Sequence, residues 1–299
     1  MLRFTLRETA RLVFGILGAA ALAACLASLD NAHAWHGAAA FFESVTRHLA
    51  AFLRLDFGTS AVSGGPAIAE LAERLPSTLV ILAMGAVLAL LVGGPLGILF
   101  GGGPGRRAAA PLIQLVAATP VFCAALALSF VAQRFLHWPI ATNATDATAG
   151  GLQFDPANPL PALAALLLPA LTVGAAGAAT VQLALRRGAS RVAHEPYRRG
   201  LRRLGLTSLE IDRAFVAPQV LAGLVADAGA LTLALLAASA VAEWVFNVPG
   251  AAVLFVKSVA LGDWTMAALV LFVIASIALI AEYFGRIGAR AISGSDIGT

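Results

Sequence analysis

The ionisable side chains of this 299-residue chain mostly lie between long apolar runs, and Asp227 is the one that lies well inside such a run. An ionisable group at membrane depth is costly and usually faces a pathway or a partner. Two interpretations stay open: Asp227 lines a cavity and faces cationic groups of a solute, or it bonds to a neighbouring helix. Glu282, near the end of the last apolar run, is expected to reach lipid headgroups or a basic partner.

Patterns typical of catalysis are missing from the sequence. The only lysine, Lys257, lacks the Gly-rich loop that cradles nucleotide phosphates. His33 and His36 stand without a carboxylate or thiol pattern, so we expect them to be solvated rather than metal-bound. Cys25 and Cys123 lie in apolar runs, which implies neither a disulfide nor a metal framework. We therefore expect no enzyme activity, no ATP hydrolysis, no metal and no cofactor on this chain.

The composition indicates an integral membrane protein. Hydrophobic residues make up 60% of the chain and charged residues only 12%, with a mean hydropathy of +0.87, whereas soluble domains carry about 25% charged residues. The sequence pI of about 9.8 does not indicate a nucleic-acid partner, because the basic residues cluster on one side of the predicted spans, as the positive-inside rule requires. Of the 20 basic residues, the 15 placed inside are Arg3, Arg7, Arg11, Arg106, Arg107, Arg186, Arg187, Arg191, Arg198, Arg199, Arg202, Arg203, Arg213, Arg286 and Arg290.

The apolar runs predict an all-α polytopic membrane protein with six transmembrane helices and both termini in the cytoplasm. Residues 1–29 form an N-terminal tail and first span, 30–76 an external segment, and 77–299 a core of five spans with an inside loop at 186–218. The predicted spans are Arg11–Leu29, Ser77–Phe100, Ala108–Gln133, Leu160–Leu185, Gln219–Ala242 and Met266–Phe284.

The first apolar run has a second interpretation. Three arginines, an apolar run and then Leu22-Ala23-Ala24-Cys25 also suit a secretory signal with a lipoprotein-type cleavage site. We favour a retained first span, because the later spans belong to a polytopic protein whose N-terminus should stay inside.

The inside loop contains the polar stretch Glu195–Pro218, which predicts a short amphipathic helix at its start. Tyr197, Leu201 and Leu204 follow the i, i+4, i+7 spacing that places side chains on one face of a helix. The opposite face is basic. Its residues are Arg198, Arg199, Arg202 and Arg203.

A glycine and a second helix follow. Gly205 falls where a left-handed residue usually ends a helix. Thr207 and Glu210 have the spacing of a capping box, in which each residue satisfies a backbone N–H of the other at a helix start. The stretch therefore predicts helix, Gly turn, helix, set between membrane spans.

This pattern resembles the cytoplasmic coupling loop of binding-protein-dependent ABC importer permeases. The core of that loop is a short helix, a fixed Gly, and a Pro some thirteen residues later. Gly205 and Pro218 hold those places here, with Tyr197, Arg199 and Leu201 before the Gly.

Motifs elsewhere in the chain strengthen the resemblance. Residues Leu55–Ser60, followed by Ile68–Pro76, are similar to the segment before the second span in permeases of the dipeptide, oligopeptide and nickel group, with Ser77 as the small hydroxyl residue that follows. A Glu-x-x-Phe-x-x-Pro-Gly element of the family, expected on the outer side of the pathway, is matched after the fifth span, and Asp263-Trp264 matches a further element before the last span. The matching residues of the outer element are Glu243, Phe246, Pro249 and Gly250.

The resemblance implies one permease subunit of an ABC importer in the bacterial inner membrane, carrying peptides, nickel or a related solute. It implies a second homologous permease, two cytoplasmic ATPase subunits and a periplasmic solute-binding protein as partners. The rivals are a proton-coupled secondary transporter that uses Asp227 and a scaffold that anchors a cytoplasmic partner. The residues expected to couple to the ATPase are Tyr197, Arg199, Leu201, Arg202, Leu204, Gly205 and Pro218.

Overall fold

The structure is a computed structural model that describes residues 2–29, 38–99, 119–136, 160–193, 200–201 and 203–293. Those residues are almost entirely helical, and the only β pairing among them is an isolated bridge between Thr59 and Pro66. The helices are α1 (Leu2–Ala27), α2 (Ala38–Leu53), α3 (Ala67–Leu99), α4 (Val121–Val131), α5 (Leu160–Ala193), α6 (Ser208–Ile211), α7 (Ala217–Ala226), α8 (Ala228–Val245), α9 (Ala251–Leu261) and α10 (Trp264–Ser293).

Helices α1, α3, α5, α8 and α10 are each long and apolar enough to cross a membrane. The predicted all-α polytopic fold is therefore confirmed. Of the predicted span Ala108–Gln133, the described part is α4, which continues as a π-helical turn (Ala132–Leu136), and the rest lies outside the described residues. The count of six spans thus stays a prediction.

Two predicted elements differ from those of the structure. The predicted span Gln219–Ala242 is not one uninterrupted helix, because α7 ends at Ala226 and α8 begins at Ala228. The helix expected to end at Pro76 instead runs through it, so that the end of the segment 30–76 and the second span form the single helix α3. A proline inside a membrane helix is tolerated where neighbouring groups satisfy the freed backbone carbonyl.

Small residues let the central helices α3 and α5 approach closely. A Cβ added to Gly85 would lie 2.7 Å from Val173 Cγ1, and one added to Gly174 would lie 2.7 Å from Leu88 Cβ. Gly177 likewise allows α5 to approach Leu235 of α8 closely. Membrane helices associate through such small-residue contacts, because lipid is as apolar as the side chains. The main core, which includes Ile81, Leu166 and Phe246, lies among α3, α4, α5 and α8.

The N-terminal helix packs on the last one. Ala20, Ala23 and Ala27 of α1 form a buried cluster with Phe52 of α2 and Ala268 of α10. At the other end of the same pair, Arg290 lies over the ring of Phe4, 4.2 Å from its centroid. The start of α1 and the end of α10 therefore share one end of the bundle, which also contains residues 200–216 and is called the coupling end below.

Candidate functional site

The described part of the coupling stretch has the turn that the sequence predicts. Gly205 has φ 89°, a left-handed conformation that glycine adopts without strain. The N–H of Leu206 bonds the carbonyl of Leu201 across this turn at 3.3 Å. The backbone therefore reverses at Gly205 and can begin a second helix at once. Tyr197, Arg199 and Arg202 lie outside the described residues.

The second helix begins with the predicted capping box. The Thr207 N–H donates to Glu210 Oε2 at 2.8 Å, and the Glu210 N–H donates to Thr207 Oγ1 at 3.3 Å. The bonds that Thr207 donates to the carboxylate hold the pKa of Glu210 below its ordinary value. The box thus holds the start of α6 most firmly while Glu210 is ionised.

The coupling stretch is continuous with the bundle. Helix α6 passes through a π-helical segment (Asp212–Val216) into α7 without a loop, and Pro218 lies in the first turn of α7. Val220 meets Gly188 of α5, and Val225 meets Gly285 of α10. Helix α6 is therefore linked through α7 to two spans, α5 and α10, by close backbone packing.

Leu204 is an exposed apolar residue of this stretch. Leu204 is 79% exposed, while Leu201 is half-buried. An unpartnered leucine at the tip of a polar loop suits a partner's groove better than water. Tyr197, the third residue of the predicted apolar face, is not described.

At the opposite end of the bundle, the predicted Glu-x-x-Phe-x-x-Pro-Gly element forms a buried turn. Glu243 is 0% exposed, and its carboxylate accepts hydrogen bonds from Thr78 Oγ1 at 2.7 Å and from the N–H groups of Ala252 and Val253 at 3.0 and 3.1 Å. The side chain therefore caps α9, whose first N–H groups have no partner within the helix.

Each other member of the element supports that cap. Phe246 is fully buried in the main core. Asn247 takes a left-handed conformation, φ 52°, which reverses the chain before Pro249 so that α9 starts at Ala251. A Cβ on Gly250 would overlap the Glu243 carboxylate, so this position needs glycine. In this conformation a solute cannot touch Glu243 or Phe246, because both are enclosed.

Thr78 is the residue that sequence reasoning missed. Its hydroxyl donates to Glu243 and accepts the Ala251 N–H at 2.8 Å, and it thereby joins α3 to the turn after α8. The family resemblance indicates the neighbouring Ser77 instead. The available signal for Thr78 is a hydroxyl residue in the helical turn after Pro76, at the start of an apolar run.

Asp263 repeats the capping arrangement at the start of α10. It is 1% exposed, and it accepts the Met266 N–H at 3.0 Å and the Ser60 hydroxyl at 2.5 Å. Ser60 belongs to the loop that follows Asp56. Two motifs that are far apart in the sequence are thus brought together as one buried contact.

Asp227 is the residue at which the predicted fifth span is interrupted. It falls at the junction of α7 and α8, seventeen residues before Trp244, which corresponds to about 26 Å at a rise of 1.5 Å per residue. Asp227 therefore lies directly before the apolar span Ala228–Val245, on the side of the coupling end. Its carboxylate makes no hydrogen bond or ion pair with any residue that the structure describes. It lines a cavity of about 890 Å³.

Glu282 pairs with a basic residue, which is one of the two contacts that the sequence predicts for it. The Arg286 guanidinium donates to Glu282 Oε1 from Nε at 3.0 Å and from Nη2 at 2.6 Å. Arg286 Nη1 also lies 3.7 Å from Glu8 of α1. His33 and His36, the pair considered as metal ligands, lie outside the described residues.

Comparison with known protein families identifies the chain. Residues 85–293 match the model of the binding-protein-dependent transport system inner membrane component. This range runs from the middle of α3 to the end of α10 and includes the coupling stretch, the Glu243 turn and Asp263. A search of curated proteins returned no significant match. Because the matched residues make up well over half of the chain, this protein belongs to the family of binding-protein-dependent transport system inner membrane components.

Proposed function

We propose that this chain is one permease subunit of an ABC importer and that ATP is hydrolysed on its partner subunits, not on the chain itself. The observation that carries the proposal is the coupling stretch. A Gly turn and a capped helix project from the bundle and run without a break into α7, which is packed between α5 and α10. That geometry suits the transfer of a partner's motion to the spans.

The apolar face of the stretch docks in an ATPase groove in this proposal. Leu204 is the exposed anchor, and the sequence spacing predicts that Tyr197 and Leu201 share its face, as in other helix-in-groove contacts. The same spacing predicts that Arg199 and Arg202 lie on the opposite face, where they would meet an acidic rim or lipid phosphates. Gly205 sets the turn and Pro218 the start of α7, so that they fix the angle between docked helix and span.

The Glu243 turn belongs to the periplasmic gate of the pathway. Glu243 caps α9 through Thr78 and two backbone N–H groups, so a shift of α3 against α8 disturbs α9 directly. Phe246, Pro249 and Gly250 keep the turn compact. We assign these residues to the movement of the gate and not to contact with the solute.

The solute and the setting follow from the family resemblance. The motifs before α3 and after α8 resemble those of permeases for dipeptides, oligopeptides and nickel, so we propose import of a peptide, nickel or a related small solute. We propose that the coupling end is cytoplasmic, that the membrane is the bacterial inner membrane, and that a second homologous permease, two ATPase subunits and a periplasmic solute-binding protein complete the system.

Purification of the tagged chain from its native membrane tests this function. An ATPase subunit and a second, homologous permease should be recovered with it, and ATP hydrolysis should follow the complex. A chain that is recovered alone, yet drives solute uptake by a proton gradient in vesicles, would instead support the secondary-transporter alternative.

A further inference from the structure

A cavity in the form of a groove lies between α1, α8 and α10. Its volume is about 890 Å³, which is within the roughly 300–1,000 Å³ of small-molecule sites. Small residues, such as Gly15, Gly18 and Ala275, and leucines make up most of its lining. Its mouth is on the protein surface, where Leu22 is 67% and Leu233 57% exposed.

The length of the groove matches one leaflet of a bilayer. Along α10 it extends from Leu271 to Arg286, which is about 22 Å at 1.5 Å per residue. A whole bilayer with headgroups is about 40–45 Å thick, and its hydrocarbon core about 30 Å. A transmembrane helix of a partner would need a groove through the full core, whereas a lipid molecule occupies one leaflet only.

The ionisable residues of the lining are Asp227, Glu282 and Arg286, and all three lie at the coupling end. Arg286 bonds Glu282 through Nε and Nη2, and its Nη1 is held only by Glu8 at 3.7 Å, so Nη1 has N–H groups left for a further acceptor. Asp227, in contrast, has an exposed carboxylate without a bond to any described residue. Glu8 and Arg11 lie beside Arg286, and Arg187 lines a neighbouring cavity with Asp227. The three carboxylates and three guanidinium groups balance, so a headgroup without net charge matches this set.

We propose that this groove binds a phospholipid with a primary-ammonium headgroup, of the phosphatidylethanolamine class, from the leaflet at the coupling end. The acyl chains lie along the apolar lining between α1 and α10. The phosphate accepts from Arg286 Nη1, and the ammonium donates to Asp227. A choline headgroup has no N–H to donate, so it forms the weaker contact. This assignment differs from both roles that the sequence leaves open for Asp227, which are a contact with a solute and a bond to a neighbouring helix.

Lipid retention tests the proposal. The complete complex is placed in nanodiscs that contain equal parts of phosphatidylethanolamine, phosphatidylcholine and phosphatidylglycerol. The complex is then released from the nanodiscs under mild conditions, and the lipids that stay bound to it are counted by native mass spectrometry. We expect about one phosphatidylethanolamine per copy of this chain. Asp227→Asn should lower its preference over phosphatidylcholine about tenfold, as the loss of a charge-assisted hydrogen bond implies. Glu43→Gln, which removes an exposed carboxylate of α2 outside the groove, should change nothing.

A second variant tests the groove apart from the headgroup. A Cβ at Gly18 meets no atom within 4 Å, so Gly18→Phe should fold, fill the groove and release all three lipids. Leu22→Trp, at the mouth, provides the same test if the first variant is poorly produced. Equal retention of the three lipids by the wild type, or no effect of Asp227→Asn, would overturn the proposal. Loss of the second permease from Gly18→Phe, with lipid retention unchanged, would assign the groove to a partner helix instead.

Discussion

The buried carboxylate of Glu243 shows how one residue can fix the position of a helix. Its bonds to Thr78 and to two N–H groups of α9 satisfy donors that would otherwise be buried without a partner. Removal of the acceptor leaves each donor with a desolvation cost of about 1–3 kcal/mol. The negative charge also interacts favourably with the positive end of the helix dipole.

We therefore expect Glu243→Ala to destabilise the folded chain by several kcal/mol, and Thr78→Val to do so by about 1–3 kcal/mol. Thermal unfolding of the purified protein in detergent measures both. Thr78→Ser keeps the hydroxyl and should remain close to the wild type. If Thr78→Val and Thr78→Ser unfold at the same temperature, the hydroxyl contact does not stabilise the turn.

Gly250 provides an independent test of the same turn. A Cβ at this position would overlap the Glu243 carboxylate, so Gly250→Ala should displace it and lower the unfolding temperature. Gly223→Ala is the matched control, because a Cβ there meets no atom within 4 Å and alanine favours a helix by up to about 1 kcal/mol. The losses of stability caused by Gly250→Ala and Glu243→Ala should not be additive, because both substitutions disrupt the same contact.

The capping box predicts a local dependence on pH. The folded-state pKa of Glu210 is below the ordinary value of 4.5, so its contribution to helix stability is present above that ordinary value and is lost as the pH falls through the folded pKa. Amide hydrogen exchange at Thr207–Ile211 should therefore accelerate, beyond the intrinsic rate, in acid. Glu210→Gln should remove this change. The same acceleration in that variant would mean that another group controls the helix.

At the scale of elements, local patterns were predicted well and distant contacts were not. The Gly205 turn and the Thr207–Glu210 box depend on neighbours within a few residues, so the sequence indicated both. The bond between Thr78 and Glu243 joins residues 165 positions apart, and no periodicity specifies such a pair. Hydropathy predicts one span over the apolar run that contains Asp227, because it does not reveal the helix break there. That break depends on the packing of α7 against α5 and α10.

The orientation of the whole molecule is tested by labelling. Thr207 and Lys257 are exposed at opposite ends of the bundle, so single cysteines at these positions, in a chain without Cys25 and Cys123, should react from opposite sides of the membrane. An impermeant maleimide added to intact cells should label Lys257→Cys and spare Thr207→Cys. Labelling of both from outside would contradict a cytoplasmic coupling end.

The coupling of this chain to an ATPase is tested most directly at Leu204. Leu204 is 79% exposed, so Leu204→Asp should leave the isolated chain folded but bury an unpaired charge if the side chain enters a groove. Such burial costs several kcal/mol, and about 3 kcal/mol would weaken docking by roughly two orders of magnitude. Arg203→Ala, an exposed neighbour, should lose at most about 1 kcal/mol.

The measurement is recovery of the ATPase with the tagged chain, at equal amounts of chain in the membrane. We predict that Leu204→Asp loses the ATPase and that Arg203→Ala retains it. Equal recovery with both variants would contradict the assignment of residues 200–216 as the contact with the ATPase.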